Sequence, residues 1–551
     1  MSEKLTFAEY INIRLRELGY DVVFGVPGYY IMPLWQTFTG KPHLVLARHE
    51  SGAVYMADGW ARITRKPGVV LATLGPGQTN MFTGIACAYK DSVPLLAITG
   101  QANTKTFGKG IFQECYPIDR GFSPTSIFAP ITKGSFEIID IHNAVYIFES
   151  ALKLASSGRQ GPVHLSIPLN IQEAKLVTDS EADLKCIFNN SIHKVYTHTD
   201  KPNSIMDFLA ESERVLILAG WGCYLSGQMD ELQNLAEKLS APIITTVKGL
   251  AAIKYDFDWF LGHVGPGQPK EIVEFLVQYN PDTILILGSS LSASYFDQIK
   301  EIIKNGKCIQ VDIDHAQIGL RTKIKLGIIA DLRFWLPEIC KLLPSKTNEE
   351  LKKQIKAFKT TQIENLSSNN LMIQSIDELN RILPENTVIV PDAGNHWLNT
   401  LSCYKPKCFG GLFTNMGLGS MGYAIGASIG LKLALPDKRI VCVTGDGSAL
   451  MSGNEISVSG ALNLNNIFII YNNCCLGRVR TFQHFECQKN YVASDLPEIR
   501  FDKWAKSMGV DGYRVQSVEE FRAVLKTVLK SEKTSVIEIM TSNDEIPFCF
   551  Q

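Results

Sequence analysis

Arg439-Ile440-Val441-Cys442-Val443-Thr444-Gly445-Asp446-Gly447 and, downstream, Asn466-Ile467-Phe468-Ile469-Ile470-Tyr471-Asn472-Asn473 are the two stretches that decide the fold. Each has a short apolar core rich in β-branched residues, which is typical of a buried strand. Ser452 to Leu462, between them, can form a helix of about three turns. The segment therefore predicts a βαβ unit with two parallel strands.

Asp446 and Asn473 each come directly after one of these predicted strands. Ligands of parallel sheets collect outside the carboxyl ends of the strands, so we expect the two side chains to lie side by side in a crevice. Mg²⁺ takes oxygen ligands and fills most positions with phosphate oxygens and water, so two side chains and one backbone carbonyl are enough. Alternatively, Gly-Asp-Gly and Asn-Asn are only strand-ending turns, but their joint occurrence at this spacing favours a diphosphate-bound cation.

The two motifs resemble the signature of thiamine-diphosphate-dependent enzymes, in which Gly-Asp-Gly is followed by a helix, a strand and Asn-Asn. The resemblance implies that Mg²⁺ is held by Asp446, Asn473 and the backbone carbonyl of Cys475. It also implies that the cofactor is bordered by Gly447, Ser448 and Leu476.

Composition and length indicate a large globular protein. The chain has 551 residues, a formal charge of −1 and 45% hydrophobic residues, which predicts several domains and neither a nucleic-acid partner nor a disordered chain. No apolar signal core stands at the N-terminus and no run reaches the ~18 apolar residues of a membrane span, so we expect a cytoplasmic protein. The thirteen cysteines contain no Cys-x-x-Cys pair, which favours reduced thiols.

The chain divides into three predicted α/β blocks at residues 1–175, 204–343 and 371–551, each a doubly wound parallel sheet. Polar stretches without clear periodicity separate them, Thr178 to Asn203 and Lys346 to Asn370. The order resembles the pyrimidine-binding, central and diphosphate-binding domains of the thiamine-diphosphate enzymes, and the resemblance covers nearly the whole chain.

Glu50 is the catalytic candidate of the first block. It follows a predicted strand, His43 to Ala47, and lies in the first turn of a predicted helix, where it could simply interact with the helix dipole. In the family, a glutamate at this place hydrogen-bonds the ring nitrogen of the cofactor's aminopyrimidine and promotes removal of the thiazolium proton. The resemblance therefore implies that Glu50 is catalytic.

Three further segments of the first block are similar to the acetohydroxyacid synthase branch of that family. They are Val26-Pro27-Gly28, Gly75-Pro76-Gly77-Gln78-Thr79-Asn80 and Phe112-Gln113-Glu114. The similarity implies that the cofactor is contacted by Pro27, Thr73 and Asn80. It places Gln113 at the reaction centre as a second catalytic candidate, and Phe112 at the substrate.

The third block carries two more segments with a family counterpart. Asp392 to Trp397 resembles the diphosphate-binding segment, with Asn395 and His396 as candidates, although His396 could equally be an interior histidine. Gly417-Leu418-Gly419-Ser420-Met421-Gly422 spells a dinucleotide fingerprint, but no strand closely precedes it and no acidic ribose partner follows. In the family this segment keeps the cofactor bent, which implies cofactor contacts from Gly419 and Met421.

The cofactor implies a reaction in which a 2-oxo acid loses carbon dioxide and its acyl group passes to a proton or to a carbonyl acceptor. Simple decarboxylases of the family commonly carry adjacent histidines in the first domain, whereas none of the ten histidines here adjoins another. This favours a carboligase or lyase similar to acetolactate synthase. The alternatives are a simple 2-oxo acid decarboxylase, a 2-hydroxyacyl-CoA lyase and a catalytically decayed relative.

Departures from the branch concern the central block and the acceptor site. Gly288 to Leu291 lacks the arginine expected of an FAD-binding segment, which argues against FAD, although Gly220-Trp221-Gly222 could support a nucleotide such as ADP. Arg478 replaces a methionine and Phe482 replaces a tryptophan of the acceptor pocket. Arg478 and Arg480 could bind an anionic acceptor or a CoA phosphate, or be solvated.

The resemblance also implies an assembly. In the family the cofactor lies between the first domain of one chain and the third domain of another. We therefore expect a homodimer or homotetramer with active sites between chains.

Overall fold

The computed structural model describes residues 5–118, 120–176, 202–292, 299–364 and 370–550. The described chain forms three α/β units built on sheets of six, six and five strands, and all neighbouring strands in them are parallel. This confirms the predicted fold class. The predicted linker Thr178 to Asn203 lies outside the described residues except at its last two positions.

The first unit holds the predicted catalytic glutamate. Its strands are β1 (Val22–Gly25), β2 (His43–Leu46), β3 (Gly68–Ala72), β4 (Leu95–Gln101), β5 (Gly134–Glu137) and β6 (Val163–Pro168). Its helices are α1 (Phe7–Glu17), α2 (Met32–Gln36), α3 (Glu50–Thr64), α4 (Pro76–Asp91), α5 (Pro124–Phe128), α6 (Ile141–Ser156) and α7 (Leu169–Gln172). The sheet order is β2-β1-β3-β4-β6-β5. Strands β3 and β4 are buried throughout, which explains their continuous apolar sequences.

The second unit is built on a six-stranded parallel sheet in which the first strand along the chain lies in the interior of the sheet. Its strands are β7 (Val215–Ala219), β8 (Ile243–Thr246), β9 (Phe260–Val264), β10 (Thr283–Leu287), β11 (Lys307–Asp312) and β12 (Leu326–Ile329). Its helices are α8 (Pro202–Glu211), α9 (Trp221–Ser226), α10 (Met229–Leu239), α11 (Lys270–Tyr279), α12 (Lys300–Asn305) and α13 (Leu332–Leu342). A further helix, α14 (Glu349–Glu364), occupies much of the polar stretch predicted to connect the second and third blocks.

The third unit contains the two apolar stretches that precede Asp446 and Asn473. Its strands are β13 (Val388–Pro391), β14 (Ile440–Gly445), β15 (Ile467–Asn472), β16 (Asp511–Val515) and β17 (Ser535–Met540), in the sheet order β13-β14-β15-β17-β16. Its helices are α15 (Leu371–Ile382), α16 (Asn395–Cys403), α17 (Tyr423–Ala434), α18 (Asp446–Ser452), α19 (Ile456–Ala461), α20 (Gly477–Glu486), α21 (Phe501–Ser507) and α22 (Val518–Val528).

The predicted single helix from Ser452 to Leu462 is wrong in detail. Helix α18 begins at Asp446 and ends at Ser452, a 3₁₀ turn covers Gly453–Glu455, and α19 follows. Gly453 packs against the Trp504 ring, which lies 2.3 Å from where a Cβ on the glycine would be. The break thus falls at a glycine, which has low helix propensity and which here also packs closely against an aromatic ring.

Charged side chains buried where the three units meet hold them together. Asp91 of the first unit bonds Arg62 of α3 at 2.9 Å and Lys248 of the second unit at 2.8 Å. The same carboxylate accepts a hydrogen bond of 2.9 Å from the backbone of Gly417 in the third unit. Arg62 also bonds Asp58 at 2.6 Å. Paired in this way, the ions avoid the large cost of an isolated buried charge.

Within the described ranges, no helix combines the length and the apolar character that a membrane span requires.

Candidate active site

The carboxyl ends of β14 and β15 meet at one edge of the third sheet. The two strands pair in parallel with Gly445 opposite Tyr471, so Asp446 and the Asn472-Asn473 pair follow at the same level. The carboxylate of Asp446 faces the backbone N–H groups of residues 473 to 475. The juxtaposition predicted from the two motifs is therefore present.

Among the described residues, only one carboxylate oxygen of Asp446 meets the geometry of a hydrogen bond. Its Oδ1 accepts a hydrogen bond of 2.8 Å from the Gly447 N–H, whereas Oδ2 is buried without a partner. The residue is 5% exposed, and this burial raises the pKa of its carboxyl to about 6, against the opposing effect of the surrounding N–H groups. A buried oxygen without a partner is costly, and a bound cation would remove that cost.

Three more buried polar atoms near Asp446 lack hydrogen-bond partners in the described chain: Ser448 Oγ, Asn395 Oδ1 and His396 Nε2. Burial lowers the pKa of His396 to about 3, so the ring is neutral. The Asn395 amide is oriented by donating to Thr481 Oγ1 at 2.9 Å. All three residues belong to segments predicted to bind the diphosphate.

Glycines show how closely these groups converge. A Cβ on Gly445 would lie 2.8 Å from the His396 ring, and one on Gly477 would lie 2.9 Å from the Asn473 amide nitrogen and 3.2 Å from that of Asn395. The chain can hold these side chains together only because neither position has a side chain of its own.

Met421 and Leu476 cover Gly447 from two sides. A Cβ on Gly447 would lie 2.8 Å from Leu476 Cδ2 and 3.2 Å from Met421 Cε. The turn before Met421 includes Gly419, which has φ +69° and donates its N–H to Asn415 Oδ1 at 3.2 Å. The structure thus brings Met421 and Leu476 to Gly447, directly after the carboxyl end of β14.

The loop after Asn473 is held by a separate segment. The Asn473 Oδ1 atom accepts the Cys475 N–H at 3.3 Å, and Cys474 has a left-handed backbone with φ +54°. Leu496 donates to the Cys474 carbonyl, and Leu476 donates to the Ser494 carbonyl, both at 2.7 Å. This pairing fixes the backbone from which the predicted carbonyl ligand of Cys475 projects.

Glu50 and its predicted neighbours form a second group on the first sheet. Glu50 is the first residue of α3, is buried, and accepts a hydrogen bond of 2.9 Å from Asn80 Nδ2. A Cβ on Gly77 would lie 3.5 Å from Glu50 Oε1 and 3.1 Å from Thr73 Cγ2. Thr73 Oγ1 is buried and has no hydrogen-bond partner in the part of the chain that the structure describes.

Pro27 precedes Gly28, whose α-carbon leaves no room for a side chain. A Cβ on Gly28 would lie 2.4 Å from Thr73 Cβ. Gly28, the residue after Pro27, therefore packs directly against Thr73, and contact of Pro27 with the cofactor stays a prediction.

Gln113 lies against the N-terminus of α4. A Cβ on Gly75 would lie 3.3 Å from Gln113 Cβ, and Gln113 itself has φ +64°. The Tyr30 hydroxyl donates to the Phe112 carbonyl at 2.9 Å, while the Phe112 side chain is 79% exposed. The backbone is thus anchored, and the two side chains project from it.

The candidate acceptor residues lie on α20. Arg478 is exposed and its guanidinium stands 5.0 Å from the centre of the Phe550 ring, and Phe482 is 57% exposed. Arg480 is instead paired with Asp495 at 3.0 Å and Asp544 at 3.5 Å. Arg480 therefore has carboxylate partners within the chain, and its binding of an anionic acceptor stays a prediction.

In the second unit, the turn that could support a nucleotide, Gly220-Trp221-Gly222, packs closely against Gly288. The Gly222 N–H donates to the Gly288 carbonyl at 3.0 Å, and a Cβ on Gly222 would lie 2.7 Å from Gly288 Cα. Trp221, between the glycines, is buried and stacks on Tyr224.

Sequence reasoning missed Glu455, which lies on the 3₁₀ turn after α18. Its carboxylate accepts hydrogen bonds from the backbone N–H groups of Arg48 and His49, directly before Glu50. Its partners lie about four hundred positions earlier in the chain, so no local pattern could have identified it.

Comparisons with known families agree with this geometry. Residues 5–120 match "Thiamine pyrophosphate enzyme, N-terminal TPP binding domain", residues 203–339 match the central domain of the same enzymes, and residues 392–539 match their C-terminal TPP binding domain. The chain belongs to the thiamine-diphosphate-dependent enzymes, which are also called thiamine pyrophosphate enzymes.

Named relatives show which branch of the family the chain resembles. The chain is 30% identical to a probable acetolactate synthase large subunit of Methanococcus aeolicus, covering 94% of this chain and 89% of the relative. It is 30% identical to the acetolactate synthase large subunit of Lactococcus lactis (96% and 92%) and 32% identical to that of Buchnera aphidicola (96% and 93%). It therefore falls in the acetolactate synthase branch, among enzymes that form carbon–carbon bonds.

Proposed function

We propose that the protein is a carboligase that decarboxylates a 2-oxo acid and transfers the acyl group to a carbonyl acceptor, as an acetolactate synthase does. The candidate site consists of two half-sites, one around Asp446 on the third unit and one around Glu50 on the first unit. The observation that carries the proposal is that both half-sites contain buried polar atoms without partners among the described residues. They belong to Thr73, Asn395, His396, Asp446 and Ser448. The names of the relatives support the reaction class.

In this proposal the third unit binds the charged end of the cofactor. Asp446 Oδ2, the Asn473 amide oxygen and the Cys475 carbonyl would hold Mg²⁺. Ser448 Oγ, the Asn395 amide oxygen and the neutral His396 ring would take the diphosphate oxygens and any bound water. Met421 and Leu476 would exclude water from the middle of the site.

The first unit would supply the proton relay. When bound, the cofactor supplies a nucleophilic carbon and an electron sink for the departing carboxylate. Glu50 would exchange a proton with the ring nitrogen of the aminopyrimidine, and the hydrogen bond from Asn80 orients its carboxyl for that role. Gln113 and Phe112 would face the 2-oxo acid, with Arg478 and Phe482 near the acceptor.

We further propose a homodimer, or a tetramer built from such dimers, in which Glu50 of one chain faces Asp446 of another. Large apolar side chains lie exposed beside both half-sites. On the third unit, Met451 of α18 is 62% exposed, and on the first unit Phe82 of α4 is 39% exposed. A second copy of the chain would bury these surfaces.

We also propose that the enzyme is cytoplasmic and acts on small molecules. Every cysteine among the described residues is a free thiol, which fits a reducing compartment.

Product analysis tests the proposal. The purified protein is incubated with Mg²⁺, thiamine diphosphate and a panel of 2-oxo acids, alone and in pairs, and the products are identified by mass. We expect acetolactate from pyruvate alone, and no turnover from the Glu50→Gln variant. An aldehyde as the only product would establish a simple decarboxylase instead, and unchanged turnover in Glu50→Gln would refute the assigned site.

A further inference from the structure

Glu455 of the third unit reaches into the first turn of α3 in the first unit. Its Oε1 accepts the His49 N–H at 2.8 Å, and its two oxygens share the Arg48 N–H at 3.1 and 3.0 Å. Glu455 is 1% exposed, so these bonds are shielded from water. A carboxylate at a helix N-terminus is favoured by the positive end of the helix dipole.

The packing around this carboxylate leaves it little freedom. A Cβ on Gly52, in the first turn of α3, would lie 2.3 Å from Glu455 Oε1 and 2.4 Å from its Cδ. The neighbouring Ser457 accepts a hydrogen bond of 2.9 Å from the Arg48 guanidinium. The third unit therefore forms hydrogen bonds with both the backbone and the side chain of Arg48, just before α3.

These contacts determine where Glu50 points. The backbone N–H groups of Arg48 and His49 lie just outside the helix, and Glu50 is the next residue. His49 has an extended backbone with φ −150° and ψ 147°, and the chain turns into the helix after it. Holding these two amides sets the direction in which α3 begins, and so the direction of the Glu50 side chain.

We propose that Glu455 is a positioning residue for Glu50: by binding the two amides that precede Glu50, it holds the Glu50 carboxyl at the place where it exchanges a proton with the cofactor. The proposal rests on the function proposed above. Glu455 itself does not touch the reacting atoms in this role.

A double-mutant cycle tests the dependence on Glu50. Glu455→Gln keeps the size of the side chain but replaces one of the two acceptor oxygens by an NH2 group, which repels the Arg48 N–H and leaves a single oxygen to accept both amides. We expect it to slow deuterium exchange of the cofactor's thiazolium proton, and turnover, about 10- to 100-fold. Cofactor affinity, measured by calorimetry, should change less than about threefold, because the diphosphate groups are untouched.

In the Glu50→Gln background, Glu455→Gln should have little further effect, since the group that it positions is already disabled. Additive losses would overturn the positioning role and leave a merely structural one. If Glu50→Gln alone changes neither exchange nor turnover, the proposed function fails instead, so the two failures are distinguishable.

Two further variants complete the test. Ser457→Ala removes the neighbouring bond to the Arg48 side chain and should retain near wild-type exchange and turnover. Gly52→Ala approaches the contact from α3 and should displace the Glu455 carboxylate, giving the same loss as Glu455→Gln. It provides the test even if Glu455→Gln does not fold, and wild-type exchange in Gly52→Ala would overturn the proposal.

Discussion

At the scale of single residues, the candidate site is marked by polar atoms that the protein alone leaves without partners. Asp446, Ser448, Asn395 and His396 each have such an atom. A buried polar group without a partner costs about 1–3 kcal/mol. The chain therefore carries a local instability that binding of a charged cofactor with its metal would remove.

Ser448→Ala should separate this cost from binding. Loss of the buried hydroxyl should leave the thermal midpoint of the cofactor-free protein unchanged or raised, because the Oγ that it removes costs about 1–3 kcal/mol. The increase of the midpoint on adding Mg²⁺ and thiamine diphosphate should become smaller, since one ligand contact is gone. Differential scanning calorimetry measures both.

Ser459→Ala is the matched control, because Ser459 is also buried but is bonded to Asn466 and Thr534. It should lower the midpoint of the cofactor-free protein and leave the cofactor-induced increase intact. A cofactor-induced increase in Ser448→Ala equal to that of the wild type would contradict the assignment of Ser448.

Glu455 should make stability depend on pH. Burial raises the pKa of its carboxyl to about 7, Glu50 adds to this, and Arg48 opposes it. The folded protein thus holds the proton more tightly than the unfolded chain does. The resulting stability is fully present below the unfolded pKa of about 4.5 and is lost as pH rises through about 7, up to about 3 kcal/mol.

Urea unfolding of wild type and Glu455→Gln between pH 5 and 8 measures this contribution. The difference in unfolding free energy between the two proteins should change in favour of the variant as pH rises, because Gln has no proton to lose. A difference that is constant with pH would show that Glu455 titrates normally.

At the scale of elements, α3 and α17 pack so closely that glycine is required where they cross. A Cβ on Gly430 would lie 1.8 Å from the Met56 carbonyl oxygen, and one on Gly59 would lie 2.1 Å from the Ala427 carbonyl oxygen. These contacts join the helix that begins with Glu50 to the helix that follows Met421. The crossing thus sets the spacing between the first and third units.

Gly430→Ala should destabilise the protein by about 1–3 kcal/mol or more, because the helices must move apart. This outcome opposes helix propensity, which favours alanine by about 1 kcal/mol. The unfolding free energy in urea measures the loss. Gly40→Ala, at a position with no atom within 4 Å of the added Cβ, should be near neutral. A stabilised Gly430→Ala would show that the crossing can relax.

Many of the strands and helices were predictable because their sequence patterns are local. The apolar runs that became β14 and β15 are continuous in sequence, and a buried parallel strand needs no other signal. The break after Ser452 falls at Gly453, whose packing against Trp504 no local pattern reveals, and α14 was missed because its polar sequence resembles a linker. Such features depend on partners that are distant in the chain.

The residues of the candidate site also fall into those that local sequence could identify and those that it could not. Asp446 and Asn473 could be placed together because each ends a recognisable strand, and Glu50 because it begins a helix. Glu455 could not be found, since its partners come from another unit. The pairing of Arg480 with Asp495 could not be found either, because no local pattern reveals it.

At the scale of the whole molecule, active sites between chains have a direct test. Glu50→Gln and Asp446→Asn proteins should each be inactive. If each site combines Glu50 of one chain with Asp446 of the other, a mixed dimer has one site with both defects and one intact site. Mixing and reassociating equal amounts should therefore restore about a quarter of wild-type activity.

Turnover of the reassociated mixture, compared with each variant treated alone, measures this recovery. Absence of recovery, with mixed dimers demonstrated by mass spectrometry, would place the whole site within a single chain.

Asp91 joins all three units through Arg62, Lys248 and the Gly417 backbone. This has a consequence for chimaeras made with related enzymes. Exchanging the second unit for one without a cation at the position of Lys248 would leave Asp91 short of a counter-ion, and breaking a buried pair in this way costs about 3–5 kcal/mol. Recombination between relatives should therefore succeed where the three charges are inherited together.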